Sequence, residues 1–330
     1  NMRYILKELI PGTGRVYRDN KSRRDIADIL RSMGFGVIAA YGDPSVRPGA
    51  YRKMRSHFER LREGDSLFVQ TPLMTSPAIL RKLFRSLAKR GVRIYMVIHD
   101  LEAALEDNAA LIVECDGVFV NNERTALEII KRKLDVQKMV PMELLDYLIP
   151  DSVSGSCGEY SRKGPVVFAG KLSRAEAGFL YRLPDNYSFR VYGTGFESGA
   201  GGNVEFGGEY TPEDLPFMLT GSFGLIWDGP SPMTCLGIAG QRMKTSNPEQ
   251  FSLFLASGMP VIVWSESAIA DFVVQRGCGF TVSSLAEIGY RINAMSEKTY
   301  HKMRKSAEDA GIPMRDGCYT RRAIIKMCGE

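Results

Sequence analysis

Short apolar runs bounded by turn residues recur along the whole chain, and between them apolar residues repeat at helical spacing. In the first half the runs are YILKEL, FGVIAAY, SLFVQTP, RIYMVIH, GVFVNN and KMVPM. A basic helix follows the first run, and helical patterns pass through Met54–Leu61, Leu80–Leu87 and Leu127–Leu134. Strand and helix in alternation predict a parallel sheet covered by helices on both faces. The stretch DSVSGSCGEYSRKGP, beginning at Asp151, is polar, rich in Ser and Gly and without apolar periodicity, which reads as a linker. Beyond it PVVFAG, FRVYG, VEFGGE, FGLIWDG, PVIVW and GFTV repeat the scheme. The expected fold class is therefore α/β, with two Rossmann-like domains: 1–150, a linker over 151–164, and 165–310. Residues 311–330 are expected as a C-terminal helix packing back on the first domain, after breaks at Gly311-Ile312-Pro313 and at Gly317. Two open α/β sheets that face each other place their carboxyl strand ends around a shared cleft, where ligands are expected.

Composition narrows the class of protein. A chain of 330 residues exceeds the size at which one core stops growing, in keeping with two domains. Its 44% hydrophobic and 25% charged residues are ordinary for a globular protein, and no run approaches the roughly 18 apolar residues of a membrane span. With no pattern of a signal peptide, a cytoplasmic protein is expected. The six cysteines are scattered without a CxxC pair, as reduced thiols are, and the three histidines His57, His99 and His301 lie far apart. No DxD follows a strand of the second half, and no Asp or His cluster has ligand spacing, so neither metal nor cofactor is expected. The net charge of +5 is too small to point to nucleic acid. Basic residues do gather at Arg47–Arg62, Arg81–Arg93 and Arg315–Lys326, as solvated helix faces or as a surface for an anionic membrane.

The stretch Gly224–Trp264 carries the most chemistry. FGLIW runs into Asp228, a polar and glycine-rich loop follows, Asn247-Pro248 opens the short helix EQFSLFLAS, and PVIVW is the next buried strand. A helix start offers main-chain N–H groups and a partial positive charge, here at Asn247–Gln250, and so suits a diphosphate. The loop PGTGR near the N-terminus is an incomplete GxGxxG, which speaks against a dinucleotide-dependent oxidoreductase.

WDG, Cys235, Gly237, Gly240, Lys244, Asn247-Pro248, SLFLASGMPVIVW, AIADFV and GFTVSSLAEI in the second half, with SLFVQTP and IHDLEAAL in the first, resemble one family throughout. It is the family of bacterial GT-B glycosyltransferases that includes β-1,6-galactofuranosyltransferases and adhesin-glycan glucosyltransferases. The chain departs from the family pattern at Glu249-Gln250, where His-Lys is usual, and at Arg242, where an aromatic residue is usual. The resemblance implies transfer of a hexosyl unit, galactofuranose or glucose, from a UDP-sugar to a glycan acceptor in cell-surface polysaccharide or glycoprotein synthesis, with inversion and without metal. Other readings of the same motifs are a degenerate transferase acting as a sugar-nucleotide-binding or regulatory subunit, and an α/β enzyme that modifies nucleotide sugars.

Residue roles follow from the resemblance and from residue chemistry. The departing diphosphate needs cations, and Lys244 and Arg174 are assigned to it, with Lys171, Arg242, Asn247, Gln250 and the helix start beside them. Thr13 in PGTGR is assigned to the same diphosphate from the first domain. Tyr192 and Tyr210 offer rings and hydroxyls to the uracil and ribose, or pack in the core. Gly170 lets main chain approach the donor, Asp228 ends its strand there, and Ser252 faces either the phosphate or the core. In the first domain His99, Asp100 and Glu102 follow a central strand. Asp100 either takes the acceptor proton, with His99 fixing geometry, or caps the next helix. Asn121 and Asn122 are assigned to acceptor hydroxyls. Expected partners are the UDP-sugar and the glycan, with peripheral contact at the inner membrane face and a homo-oligomer both allowed.

Overall fold

The computed structural model of the chain describes residues 1–150 and 157–329, side chains 106–108 excepted. The first six residues of the expected linker, 151–156, lie outside the described residues. The chain divides into two compact units, Asn1–Leu144 joined by the stretch from Tyr319, and Leu145–Cys318. Residues 145–150 thus belong with the second unit, and only the last turns of the expected 311–330 segment join the first.

In the first unit six strands form one sheet: β1 (Arg3–Leu9), β2 (Gly36–Tyr41), β3 (Ser66–Thr71), β4 (Arg93–Ile98), β5 (Gly117–Val120) and β6 (Met139–Pro141). Their order is β2-β1-β3-β4-β5-β6, every pair parallel. Helices α1 (Lys21–Ser32), α2 (Ala50–Ser56), α3 (Pro77–Ala88), α4 (Leu101–Ile112) and α5 (Glu123–Lys131) connect them. Successive residues of a strand face opposite layers. Leu67 and Val69 join the core layer that holds Leu80, Leu83 and Phe84 of α3, whereas Phe68 joins the layer of Ile26 and Leu30 of α1. The second layer also takes Ala323, Ile324 and Met327, so the C-terminal helix Cys318–Cys328 completes this unit. β3 and β4 end in register, Thr71 opposite Ile98, so Gln70, Thr71 and His99 come to one sheet edge.

The second unit has a parallel sheet of β8 (Val166–Ala169), β9 (Phe189–Tyr192), β10 (Val204–Gly208), β12 (Gly224–Ile226), β13 (Val261–Trp264) and β14 (Gly279–Val282), in the order β10-β9-β8-β12-β13-β14. A two-stranded piece pairs β7 (Glu159–Tyr160) with β11 (Thr220–Gly221), which places the end of the expected linker in a strand. Helices α6 (Leu215–Met218), α7 (Gly237–Thr245), α8 (Glu249–Ala256), α9 (Ala270–Arg276), α10 (Glu287–Ala294) and α11 (Glu297–Arg315) follow in chain order. In α8 Phe251, Leu253, Phe254 and Leu255 are buried, each contributing about 1.5–3 kcal/mol. α11 crosses it so closely that a Cβ on Gly311 would lie 1.9 Å from the Leu255 carbonyl oxygen.

Two local expectations are corrected. The break expected at Gly311-Ile312-Pro313 is absent, because α11 runs through Pro313 to Arg315. Gly311 there is a contact point with α8, and that packing holds a helix that proline alone would interrupt. The glycine-rich segment expected as a loop before Asn247 contains α7, whose exposed Ile238 and buried Met243 give it no clear apolar stripe. Among the described residues no helix is long and apolar enough to cross a membrane.

Candidate functional sites in the two units

The second unit holds a cavity of about 290 Å³ at the carboxyl ends of β8 and β12. Phe168, Lys171, Glu176 and Phe179 line it from the β8 side; Trp227, Asp228, Arg242, Ser246, Pro248 and Gln250 line it from β12, α7 and the start of α8. Backbone shape makes room for this arrangement. Gly170 and Gly193 have φ of 156° and 133°, and a Cβ on Gly193 would fall 1.8 Å from the Gly170 carbonyl oxygen. Only glycine fits that approach. The Gln250 amide nitrogen lies 3.2 Å from the Cβ position of Gly170, so the two expected donor residues are neighbours.

The charges of the lining are balanced. Lys171 lies 3.1 Å from Glu176, and Arg242 lies 3.7 Å from Asp228. Burial raises the Asp228 carboxyl above its usual range, and the Arg242 guanidinium pulls it partly back. The exposed Lys171–Glu176 pair is worth about 0–1 kcal/mol, and the Arg242–Asp228 pair is too long for a hydrogen bond, whereas a charged hydrogen bond contributes about 1.5–3 kcal/mol. A diphosphate can therefore draw both cations from their carboxylates. Among the described residues no side chain caps α8, whose N-cap is Pro248, so its positive end borders the cavity, with Glu249 in its first turn.

In the first unit, polar groups converge at the carboxyl ends of β1, β3, β4 and β5. Glu8 is buried and accepts from the main-chain N–H groups of Met74 and Thr75. Arg23 of α1 is half-buried beneath the turn after β3 and donates to the carbonyls of Gln70 at 3.1 Å and Pro72 at 2.7 Å. Burial lowers its guanidinium to about 10. His99 Nε2 meets the Gln70 side-chain oxygen at 2.7 Å, and the Asn121 amide donates to the His99 carbonyl at 3.4 Å. Burial, with the charge of Arg23, pushes the His99 imidazole down to about 3. Asp100 accepts from the Ala103 N–H at 3.2 Å as the N-cap of α4.

Both units match models of one family. The Glucosyltransferase 3-like N-terminal domain covers residues 9–144 and the Glucosyltransferase 3-like C-terminal domain covers 166–327. The chain belongs to the glucosyltransferase 3-like family. This glycosyltransferase is 27% identical over 322 residues to the β-1,6-galactofuranosyltransferase WbbI of Escherichia coli K12, covering 95% of this chain and 94% of that one. It is 22% identical to glucosyltransferase 3 of Streptococcus gordonii, over 92% of each chain. Among solved structures it is similar to HepE of Anabaena in complex with UDP, with TM-score 0.61 and 12% identity over 100% of both chains. BGT of T4 phage in complex with UDP and Mn2+ gives TM-score 0.56 at 13% identity, over 99% of this chain and all of that one. These likenesses concern the fold, which is GT-B.

The transferase brings together only part of the expected donor set: Gly170, Lys171, Asp228, Arg242 and Gln250 meet at the cavity. The structure places the other expected donor residues elsewhere, and for Ser252 and Tyr192 it takes the core alternative. Lys244, on the turn after Arg242, pairs with Glu266 at 2.7 Å and sits over the Trp264 ring, away from the lining. Arg174 stacks on Tyr181 and donates to the Ser198 carbonyl at 2.8 Å. Ser252 is buried and donates to the Leu145 carbonyl at 2.7 Å, so it faces the core. Tyr192 is a core residue whose hydroxyl accepts from the Thr220 N–H, and Tyr210 is a partly exposed ring tilted against it. Asn247 is buried just before the lining residue Pro248.

In the first unit Glu102 is exposed and pairs with Arg132 at 2.6 Å, which removes it from the strand-end cluster. Asn122 accepts from the Thr125 N–H at 3.0 Å as the N-cap of α5. The Thr13 hydroxyl is held in its own turn, between the Ile10 carbonyl and the Arg15 N–H. Sequence reasoning missed Glu8, Arg23 and Gln70 here, and Glu176, Ser246 and Trp227 at the cavity. Ser246 and Trp227 flank expected residues and were within reach of the motif; Arg23 was not, because its partners lie 47 and 49 residues away.

Proposed function

We propose that this glycosyltransferase uses a UDP-sugar, holds its diphosphate in the cavity of the second unit, and transfers a hexosyl unit, galactofuranose or glucose, to a cell-surface glycan acceptor with inversion. The carrying observation is the convergence of Lys171, Arg242, Gln250 and the start of α8 on one cavity. The names of the family relatives and the UDP complexes of fold neighbours support the same reading. In the reaction the acceptor oxygen bonds to the anomeric carbon as the carbon–oxygen bond to UDP breaks. Asp100 takes the acceptor proton, and Arg242, Lys171 and the helix start take the diphosphate charge. Because two cations are at hand for that charge, transfer is proposed to proceed without metal. UDP at about 100 times its dissociation constant is expected to add about 2.7 kcal/mol to stability, read as a thermal shift, and turnover is expected to survive EDTA. Stabilisation by ADP or a nicotinamide cofactor but not by UDP overturns the donor assignment, and activity lost to EDTA and restored by manganese overturns metal independence.

A cytoplasmic location with loose attachment to an anionic membrane face is part of the proposal. Residues 47–62 hold six Lys and Arg against one Glu, and residues 81–93 six against none, whereas the whole chain has 43 against 38. These stretches take in α2 and the last two turns of α3, where Arg52, Lys53, Arg55 and Lys82 are exposed, and Lys89 just after α3 is exposed as well. At about 1 kcal/mol per basic residue near an anionic surface, the protein is expected to co-sediment with phosphatidylserine vesicles at low salt and to leave them at high salt. Equal recovery with neutral vesicles sinks the idea.

A further inference from the structure

The Gln70 amide lies between two groups whose chemistry fixes its orientation. Its nitrogen donates to the main-chain carbonyl of Arg23 at 3.1 Å, and its oxygen lies 2.7 Å from His99 Nε2. A carbonyl oxygen only accepts, so turning the amide over would set two oxygens against each other and lose that bond. Gln70 therefore presents oxygen to the imidazole, and His99 Nε2 must carry the hydrogen. Arg23 itself is pinned by the carbonyls of Gln70 and Pro72, so the frame that orients the amide is rigid. Its positive charge opposes a second proton on the ring. The remaining lone pair is on Nδ1, which makes no hydrogen bond among the described residues, on a side chain that is only half-buried.

We propose that Gln70 is a positioning residue that locks His99 as the Nε2–H tautomer, so that Nδ1 is a fixed hydrogen-bond acceptor for a hydroxyl of the sugar substrate. The sugar contact rests on the transferase reading above; the tautomer lock does not. A site of this kind discriminates by chemistry: a hydroxyl satisfies Nδ1, and an analogue lacking that hydroxyl leaves a partly buried acceptor unpaired. The charged groups around the imidazole are Arg23 from α1, Glu8 at the end of β1 facing Arg23, and Asp100, the next residue, which caps α4.

The test is nitrogen-15 NMR of the full chain with labelled histidine, the His99 signals being assigned by their loss in His99→Gln. Nε2 is expected to show the protonated-type shift and Nδ1 the bare type, unchanged as the pH falls from 8 to about 5, since the ring titrates near 3. Gln70→Leu is expected to release a mixture of tautomers, and Gln70→Glu to place a carboxylate against Nε2 and bring the imidazolium into the range above pH 5. A hydrogen on Nδ1 in the unaltered protein, or the same single tautomer in Gln70→Leu, overturns the lock, and the first of these needs no variant to fold. Methyl β-D-glucopyranoside, used as the hydroxyl-bearing probe, is expected to shift Nδ1 and leave Nε2 in place. An Nδ1 signal indifferent to the probe overturns the sugar contact while the lock stands, and failure of UDP to bind overturns the transferase reading while leaving the tautomer measurement intact.

Discussion

Replacing Asp100 with asparagine is expected to lower turnover by about 10²–10⁴-fold while leaving UDP affinity and thermal stability nearly unchanged. The separation of these effects follows from the two oxygens of the carboxylate. One accepts from the Ala103 N–H and caps α4; the other makes no hydrogen bond among the described residues. Asparagine caps about as well as aspartate, so the helix start survives the substitution. It cannot take a proton from an attacking hydroxyl, so the chemical step does not. Near-normal turnover in Asp100→Asn would leave Asp100 as a cap only. Glu102 is the natural control: it is exposed and already paired with Arg132, and Glu102→Gln is expected to change turnover by less than about twofold, since exposed pairs contribute little.

What the chain discloses by itself is unequal between fold and site, for a physical reason. Strands such as Ser66–Thr71 and Val261–Trp264 are buried at every position, and a continuous run of that kind can be read directly from residue type. The cap of α4 was legible too, but only as one of two uses for Asp100; the cap of α5 was not, because Asn122 was assigned to acceptor hydroxyls, and a short polar side chain after a strand serves either use. Side-chain partners were not legible. Lys244 and Arg242 lie two residues apart on α7, and helix geometry turns them about 200° from each other, so one faces the cavity and the other Glu266. Ser252 finds its acceptor 107 residues away, at Leu145. The arrangement of Glu8, Arg23, Gln70 and His99 depends on β1, α1, β3 and β4 meeting at one edge, which local spacing does not encode. Thr71 pairs with Ile98 only because the two strands end together.

The same helix geometry puts Arg242, and not Lys244, at the cavity proposed for the donor. Arg242 lines the cavity with Asp228 at 3.7 Å, a separation too long for a hydrogen bond, so its guanidinium retains donors for a phosphate. Arg242→Ala is expected to weaken UDP binding by about 1.5–3 kcal/mol, roughly 10- to 150-fold in dissociation constant, the size of a charged hydrogen bond. It would also leave Asp228 without its cationic neighbour, and this carboxyl, already raised by burial, should rise further. The loss of affinity is therefore expected to deepen as the pH rises and Asp228 ionises opposite the diphosphate. Lys244→Ala should change the UDP dissociation constant by less than about threefold, because Lys244 is engaged with Glu266 and Trp264. Its cost is expected in stability instead, at no more than about 1 kcal/mol for an exposed pair and a ring contact. Isothermal titration of UDP into both variants separates the possibilities. If Lys244→Ala loses the affinity and Arg242→Ala keeps it, the diphosphate lies along the Glu266 side of α7 and the cavity is not the donor site. The position matters because Arg242 stands where relatives of the resembled family usually carry an aromatic residue, and Gln250 where they carry lysine. On this geometry a cation gained on α7 offsets the one missing from α8, and the diphosphate keeps its charge partner on a different helix.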